Sequence, residues 1–373
     1  MACLALLARL VLLARSRGEL SFFDERDYHA IGVALSREFS YASVHGPTAF
    51  RPPGQPFFLA AVYAVFGPSI RAAELVQSLL LTTVPFAAAR LARLVSRRPG
   101  VALAAAAIAA LHPALSYAAL SLYPVVLTVV TLSWGLVLSA EGLLRGRPRR
   151  VVKGAVLLGL AAACTPYFAP LPLVVAGLAL RRRARVAALA SLLSLLPLLA
   201  FAVRNAHTLG TFTVSTTSGL NLVLGANDEA TPRSGNWIEP PTLSEADARD
   251  ELTRDKAYRA QAHAWIRAHP TRWLGLSAAR AAMVLDSVGR PRTRGAHDDR
   301  LAHLAGLALL PVVLLGVLGL FVYRRSVAAQ LSAAALACVM LAAAPTLVKP
   351  RFRFPVDPAL GTFAAALLLR RSR

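Results

Sequence analysis

The chain has 373 residues, 56% of them hydrophobic, with a mean hydropathy of +0.54 and a formal net charge of +22. Several apolar runs approach or exceed the ~20 residues that cross a bilayer, the mark of a polytopic membrane protein, and basic residues cluster at the ends of those runs, which argues against a nucleic-acid partner. Cys3, Cys164 and Cys338 lie far apart in apolar segments, so neither a disulfide framework nor a metal-ligand spacing is visible, and no cleavable-signal pattern is present.

Residues 1–14 are apolar but short for a span and end in Arg15 and Arg17, which suggests a truncated or misassigned start. The stretch from Phe22 to Pro56 carries the chemistry. Asp24, Glu25 and Asp27 fall within four residues, followed by Tyr28, His29, His45 and Arg51-Pro52-Pro53-Gly54. After Glu38, only Glu74, Glu141 and Asp357 are acids outside the polar loop 204–300. An acid cluster beside a membrane, followed by a rigid basic turn, suits a site that activates a nucleophile and holds an anion. A solvated loop with ordinary surface charges is the plain alternative. Gly54–Gly67 is apolar but only about 14 residues long, so it is expected to lie in or dip into the interface.

Spans are expected at about 71–94, 101–120, 122–144, 151–164, 166–180, 185–203, 302–323, 327–347 and 354–369, about ten in all with the short first segment. Pro166, with Pro170 and Pro172 after it, splits the run 151–180 in two. Basic clusters around Arg97, Arg149, Arg182, Arg325 and the closing Arg370, Arg371 and Arg373 fall at every second boundary, which makes them cytoplasmic. The acid loop, the 120–123 turn, the 204–300 loop and residues 348–353 then share the external face. The 204–300 loop holds 11 of the 19 acids and little continuous apolar sequence. Ser244 and Asp247 read as a capping-box-like start of a helix that runs to about His269, where Pro270 stops it. Thr271–Val288 reads as a second amphipathic helix. Three units follow: a transmembrane module 1–203 that includes the external loop 15–70, the external loop 204–300, and the closing spans 301–373.

Basic residues converge on the face that bears the acids. Arg51 precedes Pro-Pro and so has a restricted backbone. Arg204-Asn205 ends a span, and Lys349-Pro350-Arg351-Phe352-Arg353-Phe354-Pro355 begins the last one. Those last three cations run against the positive-inside rule, so something besides topology keeps them there. A guanidinium donates two parallel hydrogen bonds to phosphate, and as a set these residues suit a phosphate site; snorkelling to lipid headgroups is the alternative for each. Weaker candidates are His112, Tyr117, the pair Glu74 and Gln77 one turn apart in a span, and the Gly/Ser/Thr/Asn-rich stretch Ser215–Asn227, which could bind sugar hydroxyls or simply turn.

In order, the stretches Asp24-Glu25-x-x-Tyr28, Arg51-Pro52-Pro53-Gly54, Arg204-Asn205, Gly210–Asn227, His269-Pro270 and Arg351-Phe352-Arg353-Phe354-Pro355 resemble the GT-C fold membrane glycosyltransferases, in the group related to protein O-mannosyltransferases and lipid A aminoarabinose transferases. The resemblance covers most of the chain. It implies an all-α bundle of about ten transmembrane helices with external amphipathic helices, in a bacterial inner membrane with the active site on the external, periplasmic side. It implies a hexosyl- or pentosyltransferase that takes a sugar from a polyprenyl-phosphate donor to a lipid, glycan or protein acceptor. By position, Asp24 would be the catalytic carboxylate with Glu25 its neighbour. Arg51, Arg204, Lys349, Arg351 and Arg353 would bind the donor phosphate, and Tyr28, His45, Tyr123, Asn205, Asn221 and Asn227 would line the substrate site. The chain departs from the family where a second external acid is often found, since the turn reads Ser121-Leu122-Tyr123-Pro124, and Thr165 replaces an Arg before Pro166. No cofactor is expected, and no ligand set supports a divalent metal. Chemically, a sugar phosphate already carries a good leaving group, so a carboxylate raised in pKa by burial and neighbouring acids would deprotonate the acceptor while cations stabilise the departing phosphate. A flippase of lipid-linked saccharides is the reading from another class; its acids would sit near mid-membrane, with repeat symmetry, rather than on one face. A family member without activity is a third.

Overall fold

A computed structural model of the chain describes residues 2–16, 18–20, 22–233, 240–288 and 299–370; Arg17, Arg371 and Arg373 of the basic clusters lie outside these. After α1 (Ala2–Arg15), the acid cluster forms the first turn of a helix, α2 (Phe23–Glu38), and not a loop. Carboxylates at a helix N-terminus are favoured by the helix dipole. Glu25 also closes the end of the helix, its Oε2 accepting from the Phe22 backbone N–H at 2.8 Å. The helix stops where Phe39 turns left-handed, at φ 53°. A short antiparallel hairpin, β1 (Ala42–Ser43) and β2 (Gly46–Pro47), then leads to Arg51 and α3 (Gly54–Phe66).

The long apolar runs come largely as paired pieces. The run expected at 71–94 is α4 (Ile70–Leu81) and α5 (Val84–Val95), broken where the Thr82 and Thr83 hydroxyls donate back to the carbonyls of Leu79 and Leu80. The next is α6 (Pro99–Ala110) and α7 (Pro113–Ala118), with His112 capping the second piece through its Nδ1. Then come α8 (Val125–Leu144), α9 (Pro148–Cys164), a 3-10 turn at Pro166–Phe168, α10 (Pro170–Arg181), α11 (Arg185–Leu193) and α12 (Leu196–Leu209). The stretch read as turn or sugar contact is mostly helical, α13 (Ser218–Gly225). The helix expected from Ser244 to His269 is two, α14 (Glu245–Ala248) and α15 (Glu251–Ala268), because Asp250 opens a second start by accepting from the Leu252 and Thr253 backbone N–H groups at 3.0 and 2.9 Å. The amphipathic α16 (Pro270–Met283) follows, then α17 (Asp299–Val322), α18 (Val327–Ala343) and α19 (Asp357–Leu368).

Among the described residues, four segments are long and apolar enough to cross a membrane: Ile70–Val95, Val125–Leu144, Arg185–Leu209 and His303–Val322. Shorter apolar helices, α3 among them, pack with these. The chain is an all-α, multi-pass membrane protein. Its larger core joins α8, α9, α10, α18 and α19 through residues such as Leu132, Leu158, Leu331 and Phe363. A second joins α3 to α7 with the start of α8 through Leu59, Leu81, Leu115 and Val126. A small separate core, built on Val223, Ala226, Tyr258 and Ala262, fixes α13 to α15.

The helix α8 gives the bundle its polarity. It starts beside Tyr123 and ends, about 30 Å away at 1.5 Å per residue, in an arginine cluster. There the buried Glu141 accepts from Arg90 at 2.6 and 2.5 Å and from Arg150 at 2.5 Å, so its charge is matched twice over.

The Arg51-Pro52-Pro53-Gly54 turn is held by contact between α3 and α9. A Cβ built on Gly54 would lie 2.5 Å from the Cys164 backbone nitrogen and 2.8 Å from the Ala163 carbonyl carbon. Only a glycine lets the first turn of α3 rest on this backbone. Gly54→Ala is expected to cost about 1–3 kcal/mol through overpacking, measured as a lower midpoint of thermal unfolding in detergent; an unchanged midpoint would mean that the contact is slack.

Candidate active site

Asp24, in the first turn of α2, is the meeting point of three distant segments. Its Oδ1 accepts from Arg51 NH2 at 2.8 Å. Its Oδ2 accepts from the Tyr123 hydroxyl at 3.2 Å and from Arg351 NH2 at 3.3 Å. Asp27 lies one turn on, on the same side of the helix, and takes Arg51 through both Nε (3.0 Å) and NH2 (2.7 Å). Arg51 also covers the buried Tyr28 ring, 5.3 Å from its centroid, and the Phe50 ring at 4.7 Å. Arg351 lies 4.0 Å over the Tyr123 ring. Each cation is thus fixed by a carboxylate and an aromatic face.

The supports of these side chains are local. The Tyr41 hydroxyl donates to the Arg51 carbonyl at 2.7 Å. Arg351 sits in a 3-10 turn, Pro350–Phe352, where the Phe352 carbonyl accepts from Tyr167 at 3.0 Å. Glu25 is buried, and besides its contact to Phe22 its Oε1 accepts from the Leu122 backbone N–H at 2.9 Å. It therefore ties the start of α2 to the turn that carries Tyr123, so it orients the centre from behind.

Burial pushes the Asp24 carboxyl up, but Arg51, Arg351 and Lys349 more than offset this and hold it below the usual carboxylate range. The expectation of a raised pKa is corrected here: three cations face Asp24, and Asp27 is spent on Arg51. Burial, then Arg351 and Arg51, push Lys349 down to about 8, against the pull of Asp24. Among the described residues the Lys349 ammonium has no hydrogen-bond or ion-pair partner, while its backbone carbonyl accepts from the Phe352 N–H at 3.0 Å.

The other sequence-derived candidates are placed elsewhere. Arg204 donates to the carbonyls of Thr48 and Tyr41 at 2.7 Å each and to Asn205 Oδ1 at 2.9 Å, and it stacks on Tyr41 and Phe201. It latches the hairpin to α12 and is not brought to Asp24. Arg353 is fully buried and pairs with Asp357 at 2.7 Å, which in turn contacts His112 Nε2 at 3.0 Å. It also donates to Val284 O and Ser287 Oγ, so it binds α16 to α19 and does not reach Asp24. The buried Asn205 donates to the Thr213 carbonyl. Asn227 donates to the Val223 and Leu224 carbonyls at the end of α13, and Asn221 lies in the middle of that helix. His45 is exposed at the hairpin tip. Glu74 is buried and accepts from Ser16, while Gln77 bridges Gln55 to the carbonyls of Ala119 and Ser121.

Two functional positions escape sequence reasoning. Asp27 was visible as an acid, but its pairing with Arg51 needs the i, i+3 geometry of a helix. Glu251 accepts from Thr48 Oγ1 at 2.5 Å, from the Ala49 backbone N–H at 2.9 Å and from Thr216, and so braces the segment before Arg51 from α15. Among the described residues no three His, Cys, Asp or Glu side chains gather as a metal site would require.

No family model matches the chain, and no curated protein matches it. Solved structures do match over 98% of its length. ArnT from Cupriavidus metallidurans, in a crystal structure bound to undecaprenyl phosphate, is 16% identical with a TM-score of 0.45, and 76% of that chain is covered. The Archaeoglobus fulgidus oligosaccharyltransferase tethered with an acceptor peptide containing the NVT sequon is 14% identical with a TM-score of 0.49, and 49% of it is covered. The oligosaccharyltransferase AglB from the same organism, in complex with an inhibitory peptide and a dolichol-phosphate, is 13% identical with a TM-score of 0.47 and 50% covered. The chain spans about half the length of these oligosaccharyltransferase chains.

The environment of Lys349 gives anion binding a pH dependence. Lys349 is charged below about 8 and neutral above it, so affinity for sulfate, which keeps its charge across this range, is expected to fall as pH rises through about 8. In Lys349→Arg the step should vanish, because a guanidinium stays protonated. Calorimetric titration at pH 7 and pH 9 measures it. Equal affinities for the parent protein at the two pH values would remove Lys349 from the anion site.

Proposed function

We propose that the chain is an integral membrane glycosyltransferase of the GT-C kind. It moves a hexosyl or pentosyl unit from a polyprenyl-phosphate donor to a hydroxyl of a lipid, glycan or protein acceptor, at the external face of a bacterial inner membrane. The observation that carries this reading is the convergence of Arg51, Arg351 and Lys349 on Asp24, at the end of α8 opposite its arginine cluster. A carboxylate among cations beside apolar helices supplies both groups that an inverting displacement needs. The apolar grooves between helices would take the polyprenyl tail.

In this reading the acceptor oxygen attacks the anomeric carbon as the bond from that carbon to the phosphate oxygen breaks. The acceptor proton passes to Asp24, and the departing phosphate stays on Arg51, Arg351 and Lys349. Asp27 explains how one centre can serve both roles. It holds Arg51 through two hydrogen bonds of its own, so a phosphate can displace Asp24 while Arg51 keeps its place. Once the phosphate answers the cations, the charges that depress Asp24 are neutralised and the carboxylate becomes a better base. Glu25 positions Asp24 through the start of α2. Tyr123, where a second acid is often found in the resembling family, donates to Asp24 and would turn to the donor phosphate or the acceptor when Asp24 is released.

The test is transfer from a purified polyprenyl-phosphate sugar to membrane acceptors. Asp24→Asn keeps size and much of the hydrogen bonding but cannot take a proton, so turnover should fall about 10²–10⁴-fold, while donor affinity should hold or rise, because the phosphate no longer displaces a carboxylate from Arg51 and Arg351. Glu25→Gln should be milder. Full activity of Asp24→Asn would remove the mechanism. Loss of activity on EDTA treatment, restored by Mn²⁺ or Mg²⁺, would show a metal held by other ligands, with Glu74 the first to examine.

A further inference from the structure

One side of α16 carries a row of buried polar groups without partners. Among the described residues, Trp273 Nε1, Ser277 Oγ and both terminal nitrogens of Arg280 are buried without a hydrogen-bond partner. Their positions, i, i+4 and i+7, fall on one side of the helix and extend over about 10 Å. Arg280 is 1% exposed. Burial lowers its pKa to about 10, and no charged neighbour acts on it.

A guanidinium cannot escape this situation by losing its proton at neutral pH. Its burial costs several kcal/mol unless an anion compensates. Among the described residues two carboxylates lie at this end of α16, and both are engaged: Asp286 accepts from the Val288 backbone N–H at 2.8 Å and pairs with Arg233 at 3.6 Å, and Asp357, reached through Arg353 and the Val284 carbonyl, is shared between Arg353 and His112. Water could fill the hydrogen bonds of the row but would leave the charge unanswered. A neutral sugar would do the same. One carboxylate has two oxygens, too few for donors spread along two turns. A phosphate ester fits both demands, because its charge and geometry match the guanidinium and its further oxygens extend the row of acceptors. About a quarter turn round α16 from this row, Leu274 is 60% exposed, which suits a helix lying at headgroup depth.

We infer that the inner face of α16 is a binding site for a phosphate ester, with Arg280 on the phosphate oxygens and Ser277 and Trp273 on the acceptors beside them. The site shares no residue with the Asp24 centre and does not rest on the function proposed for that centre. A lipid headgroup and a free phosphate ester offer the same chemistry, and the experiment separates them.

The full-length protein is placed in dodecyl maltoside micelles in phosphate-free buffer, and thermal unfolding is followed by circular dichroism. Inorganic phosphate is then added, or phosphatidylglycerol is mixed into the micelles. The unfolding midpoint should rise by about 2 °C or more at saturation, as expected for a ligand that binds only the folded state. The double variant Arg51→Gln/Arg351→Gln should keep this rise, which separates it from any anion bound at Asp24. Arg280→Met should lose it, while folding at least as well as the parent without the anion, because an uncompensated buried charge has gone. A rise with phosphatidylglycerol alone assigns a headgroup, and a rise with inorganic phosphate assigns a free ester; either supports the site. If Arg280→Met does not fold, Trp273→Phe/Ser277→Ala must lower the response. No rise with either probe, or an equal rise in the variants of α16, overturns the inference.

Discussion

Asp24 accepts from Arg51 through one oxygen and from Arg351 and Tyr123 through the other, so the start of α2, the turn before α3, the turn before α8 and the turn before α19 meet on one carboxylate. These segments are far apart in the chain, and beside the carboxylate Phe22 and Tyr28 pack on Tyr123, with ring centroids 5.7 and 6.3 Å apart. Charge and this aromatic contact together set their mutual placement. The exposure of the pair members, 29% for Asp24 against 13% for Arg51 and 26% for Arg351, leaves the cluster half-shielded, where attraction between charges is well above its value in water.

The same rule runs through the rest of the bundle. Among the described residues most strongly buried acids have charged or backbone donors arranged around them: Glu141 has two arginines, Asp357 an arginine and a histidine, and Glu25 two backbone N–H groups, whereas Glu74 has only the Ser16 hydroxyl. A buried charge with partners fixes geometry, since losing one partner strands the other. At the His112 break such a pair, His112 with Asp357, ties the start of α7 to α19. The breaks at Thr82 and Ser194 are closed by hydroxyls that bond back to carbonyls of the preceding helix.

Much of the architecture could be read from the sequence because hydrophobic run length and basic flanks are direct consequences of the bilayer. The runs at 122–144, 151–164 and 166–180 became α8, α9 and α10 with boundaries shifted by a few residues. The acid cluster was recognisable, but its helical state was not, since Phe-Asp-Glu-Arg-Asp has no strong N-cap residue and the cap comes from Glu25 reaching back to Phe22. The break between α14 and α15 was hidden for a related reason: Ser244 and Asp250 both cap, and a single start was read from two. Arg204 and Arg353 illustrate the limit for sites. Both are basic residues on the expected face, and nothing in their neighbours tells that backbone carbonyls, in one case, and Asp357, in the other, already take their donors.

That contrast points to how a cation becomes available to a ligand. An arginine whose fork is filled by carbonyls at 2.7 Å, as Arg204 is, cannot turn to an anion without breaking the backbone around it. Arg51 differs because Asp27 holds it with Nε and NH2 while Asp24 occupies only part of the same fork. Arg351 has a single, longer contact to Asp24 and an aromatic face beneath it. Lys349 has neither. The three are therefore graded from anchored to free, and all share one counter-charge. A cationic site that must receive and release an anion cannot stay uncompensated when empty, and it cannot be permanently paired either. A carboxylate on a neighbouring helix, held by a few exchangeable contacts, meets both conditions. The depressed pKa of Asp24 in this state is the electrostatic signature of that arrangement.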